Sequence, residues 1–254
     1  MPRNRNLRAS IARAIREPAY ARRQIHRVSR DVRLRLRHRG DHVGYYRAVM
    51  QDAIARGETT AVAVDRSSDM WRKRGRRQLN FLVANGLLPQ HRMLDIGCGN
   101  LRAGRRFISY LEPGNYWGID ISPDSIAGAQ EVVRDEGLAG KQPHLRVVSD
   151  LTFDFADDES FDVVHANSVF SHSPMPVVDE CFAHIGRVLT PAGFFDFTFN
   201  RTEGRERSTL GEDFYYRPET LIDAAQQHGL TAEFRDDWEA LRPIQSKIRV
   251  RARS

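Results

Sequence analysis

From Arg92 onward, short apolar runs alternate with stretches whose apolar residues recur at helical spacing. The runs predict strands at 92–96, 115–120, 144–149, 161–166, 192–199, 231–236 and 245–252. The spaced stretches predict helices at 101–111, 123–136, 175–189 and 218–228. A strand–helix rhythm of this kind builds an α/β fold, a mostly parallel, Rossmann-like sheet of seven strands with helices on both faces.

Upstream the pattern is different. Residues 41–90 read as a helical extension, with Tyr45, Val49 and Ile54 on one helix and a second from Met70 to about Ala84. Ser67-Ser68-Asp69 offers that second helix an N-cap, and Asn85-Gly86 closes it. Residues 1–40 place Leu7, Ile11 and Ile15 at helical spacing, then alternate from Val32 to Arg37 with period two. The expected organisation is a basic arm at 1–40, a helical extension at 41–90 and the α/β domain at 91–254.

Charge sharpens that division. Residues 1–90 hold 21 Lys and Arg against 7 acids, and residues 91–254 hold 18 against 26. Thirteen arginines fall in residues 1–40, so the arm reads as a solvated basic segment, or as a helix lying on anionic lipid or nucleic acid. No stretch approaches the ~20 apolar residues of a membrane span, and the N-terminus lacks the apolar core of a secretory signal. A cytoplasmic protein, free or peripheral to a membrane, is expected. Cys98 and Cys181 stand far apart, which argues against a disulfide framework or a zinc site.

The chemistry concentrates in Met93-Leu94-Asp95-Ile96-Gly97-Cys98-Gly99-Asn100. There an apolar run ends in an acid and breaks into a glycine turn, where a backbone can approach a ligand closely. Asp120 ends the next apolar run and Asp150 follows the third. A nicotinamide enzyme also places an acid after its second strand, but Gly97-x-Gly99 continues to Leu101-Arg102 without the third glycine of that fingerprint.

The combination resembles the class I S-adenosylmethionine (SAM)-dependent methyltransferases, over roughly residues 70–254. Leu189-Thr190-Pro191-Ala192-Gly193 is similar to the turn before that fold's fifth strand, although Leu101 stands where the family often has glycine. The resemblance implies that the last two strands pair antiparallel and that SAM is the cofactor. It implies that Asp95, Gly97, Cys98 and Gly99 cradle the methionine end and that Asp120 accepts from the ribose diol. Ile121 would face adenine, Asp150 would accept from its amino group, and the Leu151 N–H would reach a ring nitrogen.

The acceptor side is expected after the fourth strand. His172 is the first candidate for a general base, and His165, at the strand end, is the second or a cofactor contact. Asn167, Ser168, Tyr215, Tyr216 and Arg217 are candidate substrate contacts. Asp162, His165 and Asp196 show no metal-ligand spacing, so no metal is assigned. The chain lacks the motifs of DNA-base methylation, which favours O-methylation of a sugar, a glycan or lipid-linked group, or another small metabolite. The alternatives are an RNA methyltransferase gripping phosphates with the arm, or a non-catalytic SAM-binding or membrane-surface protein.

Overall fold

The structure is a computed structural model that describes residues 16–55, 69–241 and 244–253. The expected stripe at Leu7–Ile15 and the Ser67-Ser68 cap lie outside those residues. The chain divides into two compact units, 1–49 and 50–254.

In the first unit α1 spans Pro18–Arg37 and α2 begins at His42, running to Ala55. The alternation from Val32 to Arg37 therefore lies inside a helix, not an extended segment. Leu, Arg and Val there carry no breaker, and Pro18 at the first turn suits a helix start. Leu34, Tyr45 and Val49 form a small buried cluster.

In the second unit α3 (Asp69–Ala84) precedes an alternating run of strands and helices. These are β1 (Met93–Ile96), α4 (Gly104–Tyr110), β2 (Tyr116–Asp120), α5 (Pro123–Asp135), β3 (His144–Val147), β4 (Phe161–Ala166), α6 (Met175–Val188) and β5 (Leu189–Arg201). Then come β6 (Arg207–Thr209), β7 (Asp213–Tyr216), α7 (Pro218–Gln227), β8 (Leu230–Phe234), α8 (Asp236–Glu239) and β9 (Ser246–Ala252). Among the described residues the sheet has nine strands, not seven. The two additional strands, β6 and β7, form an antiparallel ribbon, and β7 runs parallel to the far end of β5. Parallel pairing orders β3, β2, β1, β4 and β5, and β9 then inserts antiparallel between β5 and β8.

Alternation along each strand sorts the residues onto two faces. Leu94, Val164, Phe195, Phe197, Phe199 and Ile248 pack one face against α6 and α7. Met93, Tyr116, Val163 and Phe194 pack the other against Phe81 and Leu82 of α3, Phe107 of α4 and Trp238 of α8. Among the described residues no helix is long and apolar enough to cross a membrane.

Candidate active site

The turn after β1 is held by β2. The backbone N–H groups of Gly97 and Cys98 both donate to the Ile119 carbonyl, at 2.8 and 3.0 Å. Gly97 and Gly99 sit at φ +68° and +54°, in the left-handed region. A Cβ on Gly97 would stand 2.5 Å from Val169 Cγ2, whereas one on Gly99 would meet nothing within 4 Å. Gly97 therefore lets the loop after β4 close in, and Gly99 borders open space. Leu101 also takes φ +62° and is fully buried, so a side chain occupies a left-handed position that the expected glycine would fill without strain.

Asp120 links this turn to its own. Its Oδ2 accepts from the Gly99 N–H at 3.0 Å and its Oδ1 from the Ser122 N–H at 2.8 Å. Asp95 lies alongside, buried, and accepts from the Tyr116 hydroxyl at 2.8 Å. Burial pushes the Asp95 carboxyl up to about 7; the Tyr116 bond opposes the rise and the Asp120 charge adds to it. Burial drives the Cys98 thiol well above its ordinary range, so Cys98 is an inert wall of the turn. Ile121 follows Asp120, half-buried.

Asp150 and Leu151 differ from expectation. Asp150 caps its own turn, accepting from the Thr152 N–H and hydroxyl at 3.2 and 2.7 Å and from the Ser149 hydroxyl at 2.9 Å. Those bonds lower its pKa. The Leu151 N–H, expected to meet adenine, donates instead to Glu180 of α6 at 2.9 Å.

Four polar residues form a row across the sheet beneath this crevice. Asp95 registers with His165, His165 with Asp196, and Asp196 with Arg249. Asp196 and Arg249 make a buried two-point ion pair at 2.7 and 2.9 Å. His165 is fully buried, with Nε2 3.1 Å from Gln78 Oε1 and its ring edge-on to Phe107. Burial, helped by nearby Lys247, holds its pKa well below the ordinary value. This enclosure takes His165 away from any acceptor; the neutral ring instead ties β4 to α3. Asp196 is occupied by Arg249 and Asp162 binds the Arg92 N–H at 2.9 Å, so these residues do not gather around an ion. Among the described residues no group of three or more His, Cys, Asp or Glu could hold a metal.

Beyond β4 the chain enters a polar network. Ser168, at φ +62°, donates its N–H to Thr198 Oγ1 at 2.8 Å and its hydroxyl to Gln245 Oε1 at 2.9 Å. Asn167 donates to the Ser168 hydroxyl, and Asn200 donates to the Ser171 and Phe214 carbonyls. His172 directs Nδ1 at the Glu212 carbonyl, 2.7 Å away, with Asp213 Oδ1 at 3.3 Å. The β6–β7 ribbon thus grips the loop, aided by the Phe214 N–H on the Ser171 carbonyl and the Tyr216 hydroxyl on the Ser173 carbonyl.

Tyr215, Tyr216 and Arg217, the other candidate substrate contacts, lie on or just after β7. Tyr216 is buried as a strut, Tyr215 carries the Arg207 guanidinium 4.0 Å above its ring, and Arg217 is exposed with its N–H on Glu206. Thr198, Asn200, Gln245, Gln78 and Asp213 had no role assigned from sequence. Phe194-Phe195-Asp196-Phe197-Thr198-Phe199-Asn200 did carry a signal for two of them: a polar residue at every second place in a buried strand.

Known proteins place this architecture. A family model for the methyltransferase domain matches residues 94–195. An uncharacterized protein of Haemophilus influenzae is 28% identical over 124 residues, covering 47% of each chain. A fatty-acid O-methyltransferase of Mycolicibacterium smegmatis is 31% identical over 107 residues, covering 42% of this chain and 36% of that one. The chain spans less than half the length of each of these curated relatives. The magnesium protoporphyrin IX methyltransferase of Synechocystis, solved with SAM bound, matches in fold with a TM-score of 0.59 at 16% identity, covering 81% of this chain and 97% of that one. Residues 94–195 thus match a methyltransferase-domain model, and the chain shares the fold of a methyltransferase solved with S-adenosylmethionine bound.

Proposed function

We propose that the chain transfers a methyl group from SAM to an oxygen of a small acceptor: a sugar, a glycan or lipid-linked hydroxyl, or another small metabolite. The observation that carries this reading is Asp120, whose carboxylate ends β2 and bridges the N–H groups of two strand-end turns beside the open side of Gly99. In an open α/β sheet that crevice is where a nucleoside is held. The residues present suit the cofactor. Asp120 offers two oxygens to a diol, Ile121 an apolar face, and Asp95 a buried carboxyl that a cationic ligand would draw into its charged form. When bound, SAM supplies an electrophilic methyl group on a sulfonium.

His172 takes the proton from the acceptor hydroxyl. With Nδ1–H donating to the Glu212 carbonyl, the neutral ring keeps its lone pair on Nε2. Asp213 beside Nδ1 stabilises the imidazolium once it forms. Ser168 and Asn167, set by Thr198 and Gln245, orient the acceptor by hydrogen bonds. The fatty-acid O-methyltransferase relative supports an oxygen acceptor.

Titration calorimetry tests the cofactor site: Asp120→Ala should lower SAM affinity at least roughly a hundredfold, the loss of about two charge-assisted hydrogen bonds. Unchanged affinity overturns the assignment. His172→Gln should lower turnover about a hundredfold while SAM still binds; undiminished turnover removes His172 as the base. Methyl-labelled SAM incubated with cell extract should label the lipid, glycan or small-metabolite pool. Label confined to RNA overturns the acceptor class.

A further inference from the structure

Helix α1 is built inside out. Its inward side holds Arg30 at 3%, Asp31 at 5% and Leu34 at 7% exposure. Asp31 accepts from the Tyr45 hydroxyl of α2 and from Arg35 Nε of its own helix, and Leu34 packs with Tyr45 and Val49, so this side is the one spent on holding the helix in its unit. Its outward side carries Ile25, Val28, Val32 and Leu36, spaced three, four and four residues apart and exposed by 69, 49, 53 and 70%. At 3.6 residues per turn these four form one stripe along the helix. Exposed Arg22, Arg33 and Arg37 border it on one side and Arg35 on the other.

We propose that this face of α1 is a docking surface for an anionic lipid bilayer. An apolar stripe flanked by arginines, on a helix of low mean hydropathy, is the arrangement that lies in a membrane interface, with side chains among the acyl chains and guanidinium groups at the phosphates. The charge on both flanks selects this occupant. A second copy of the same stripe would bring like charges together, and nucleic acid would engage the arginines while leaving the four aliphatic residues in water. The proposal is independent of the methyl-transfer reading and concerns only residues of the first unit.

Co-sedimentation of the full-length chain with lipid vesicles tests it. The protein should pellet with phosphatidylcholine vesicles containing phosphatidylglycerol and stay in solution with phosphatidylcholine alone. The triple variant Ile25→Ser, Val32→Ser, Leu36→Ser should lower partitioning roughly tenfold or more, with an unchanged melting temperature, because all three side chains already face solvent. The variant Arg22→Gln, Arg33→Gln, Arg37→Gln should abolish the preference for anionic vesicles. Three results overturn the proposal: wild type that ignores anionic vesicles, a serine variant that partitions like wild type, or a wild-type dimer in solution that the serine variant dissociates. Binding of a single-stranded RNA that displaces the vesicles and is indifferent to the serine substitutions also overturns it, since the stripe would then play no part.

Discussion

Strand β5 shows both faces of the sheet in one line of sequence. Phe195, Phe197 and Phe199 point to one side and join Phe170 and Phe182 in a buried aromatic cluster, with ring centroids between 4.9 and 6.4 Å. Asp196, Thr198 and Asn200 point to the other, equally enclosed at Asp196 and Thr198, and each is tied to a particular partner. The aromatic face is held by area and shape, which tolerate substitution of similar volume. The polar face is held by pairings that fail if one member is removed. The pairings continue, step by step, to the loop that carries Asn167, Ser168 and His172. Phe170 of that loop joins the aromatic face while Ser168 joins the polar one, so both faces of β5 meet at the segment after β4.

Three substitutions press on that contrast. The largest effect is expected from Asp196→Ala, which leaves Arg249 charged and unpaired in the interior and should cost about 3–5 kcal/mol in urea unfolding. Phe197→Ala should cost a similar amount, about 3–5 kcal/mol. The faces separate in the rescue: Asp196→Ala with Arg249→Met should recover most of the loss, because an apolar pair can replace an ionic one. If the double variant is no better than the single one, the polar row is not a set of pairings.

Lys247 comes next. Its ammonium is fully buried between Phe81 and Trp238, 5.0 and 4.6 Å from the ring centres, and makes no hydrogen bond among the described residues. Burial brings its pKa down from 10.5 to about 8. Below pH 8 the lysine is charged in both folded and unfolded chains, and the folded state bears the penalty. Between pH 8 and 10.5 the folded lysine is neutral and the unfolded one still charged, so wild-type stability rises with pH. Lys247→Met should therefore stabilise the protein at pH 7 by about 1–3 kcal/mol, the cation–π contacts offsetting part of the gain. That advantage should shrink as the pH is raised to 10. A constant difference across the range would show that the charge is not what strains this face.

The smallest effect is expected from Thr198→Val, which removes the acceptor of the Ser168 N–H. It should cost about 1–2 kcal/mol and lower turnover more than SAM affinity, measured by calorimetry alongside initial rates. Equal losses in both would place Thr198 with the scaffold, on the aromatic side of the comparison.

Much of this arrangement was readable before the fold. Each apolar run from Met93 to Phe197 is long enough to mark a strand, and an acid at the end of such a run, as at Asp95 and Asp120, stands out against it. The β6–β7 ribbon was not readable, because Arg207-Ser208-Thr209 is short, exposed and without alternation. Its role depends on contacts about forty residues away in sequence, such as His172 with Glu212. The same holds for Glu180, which reaches the Leu151 N–H across 29 positions. Leu101 shows another limit: a left-handed backbone is expected of glycine, and nothing in the residue type announces that leucine adopts it. Local pattern reports periodicity and turns; it does not report which distant side chain will take up a donor.

A carboxyl group poised near 7, as burial leaves Asp95, would link any binding in the crevice to the uptake or release of a proton. At neutral pH a sizeable fraction of empty molecules hold a proton there. A cationic cofactor settling against Asp95 would favour its ionised form and expel that proton into the medium. Calorimetric titrations in two buffers with different ionisation enthalpies should then give different apparent heats, and the difference counts the protons released. The count should peak between the free and bound pKa values and vanish at pH 9. The enclosed carboxyl, hydrogen-bonded among the described residues to Tyr116, would thus couple occupancy of the crevice to the acidity of its surroundings.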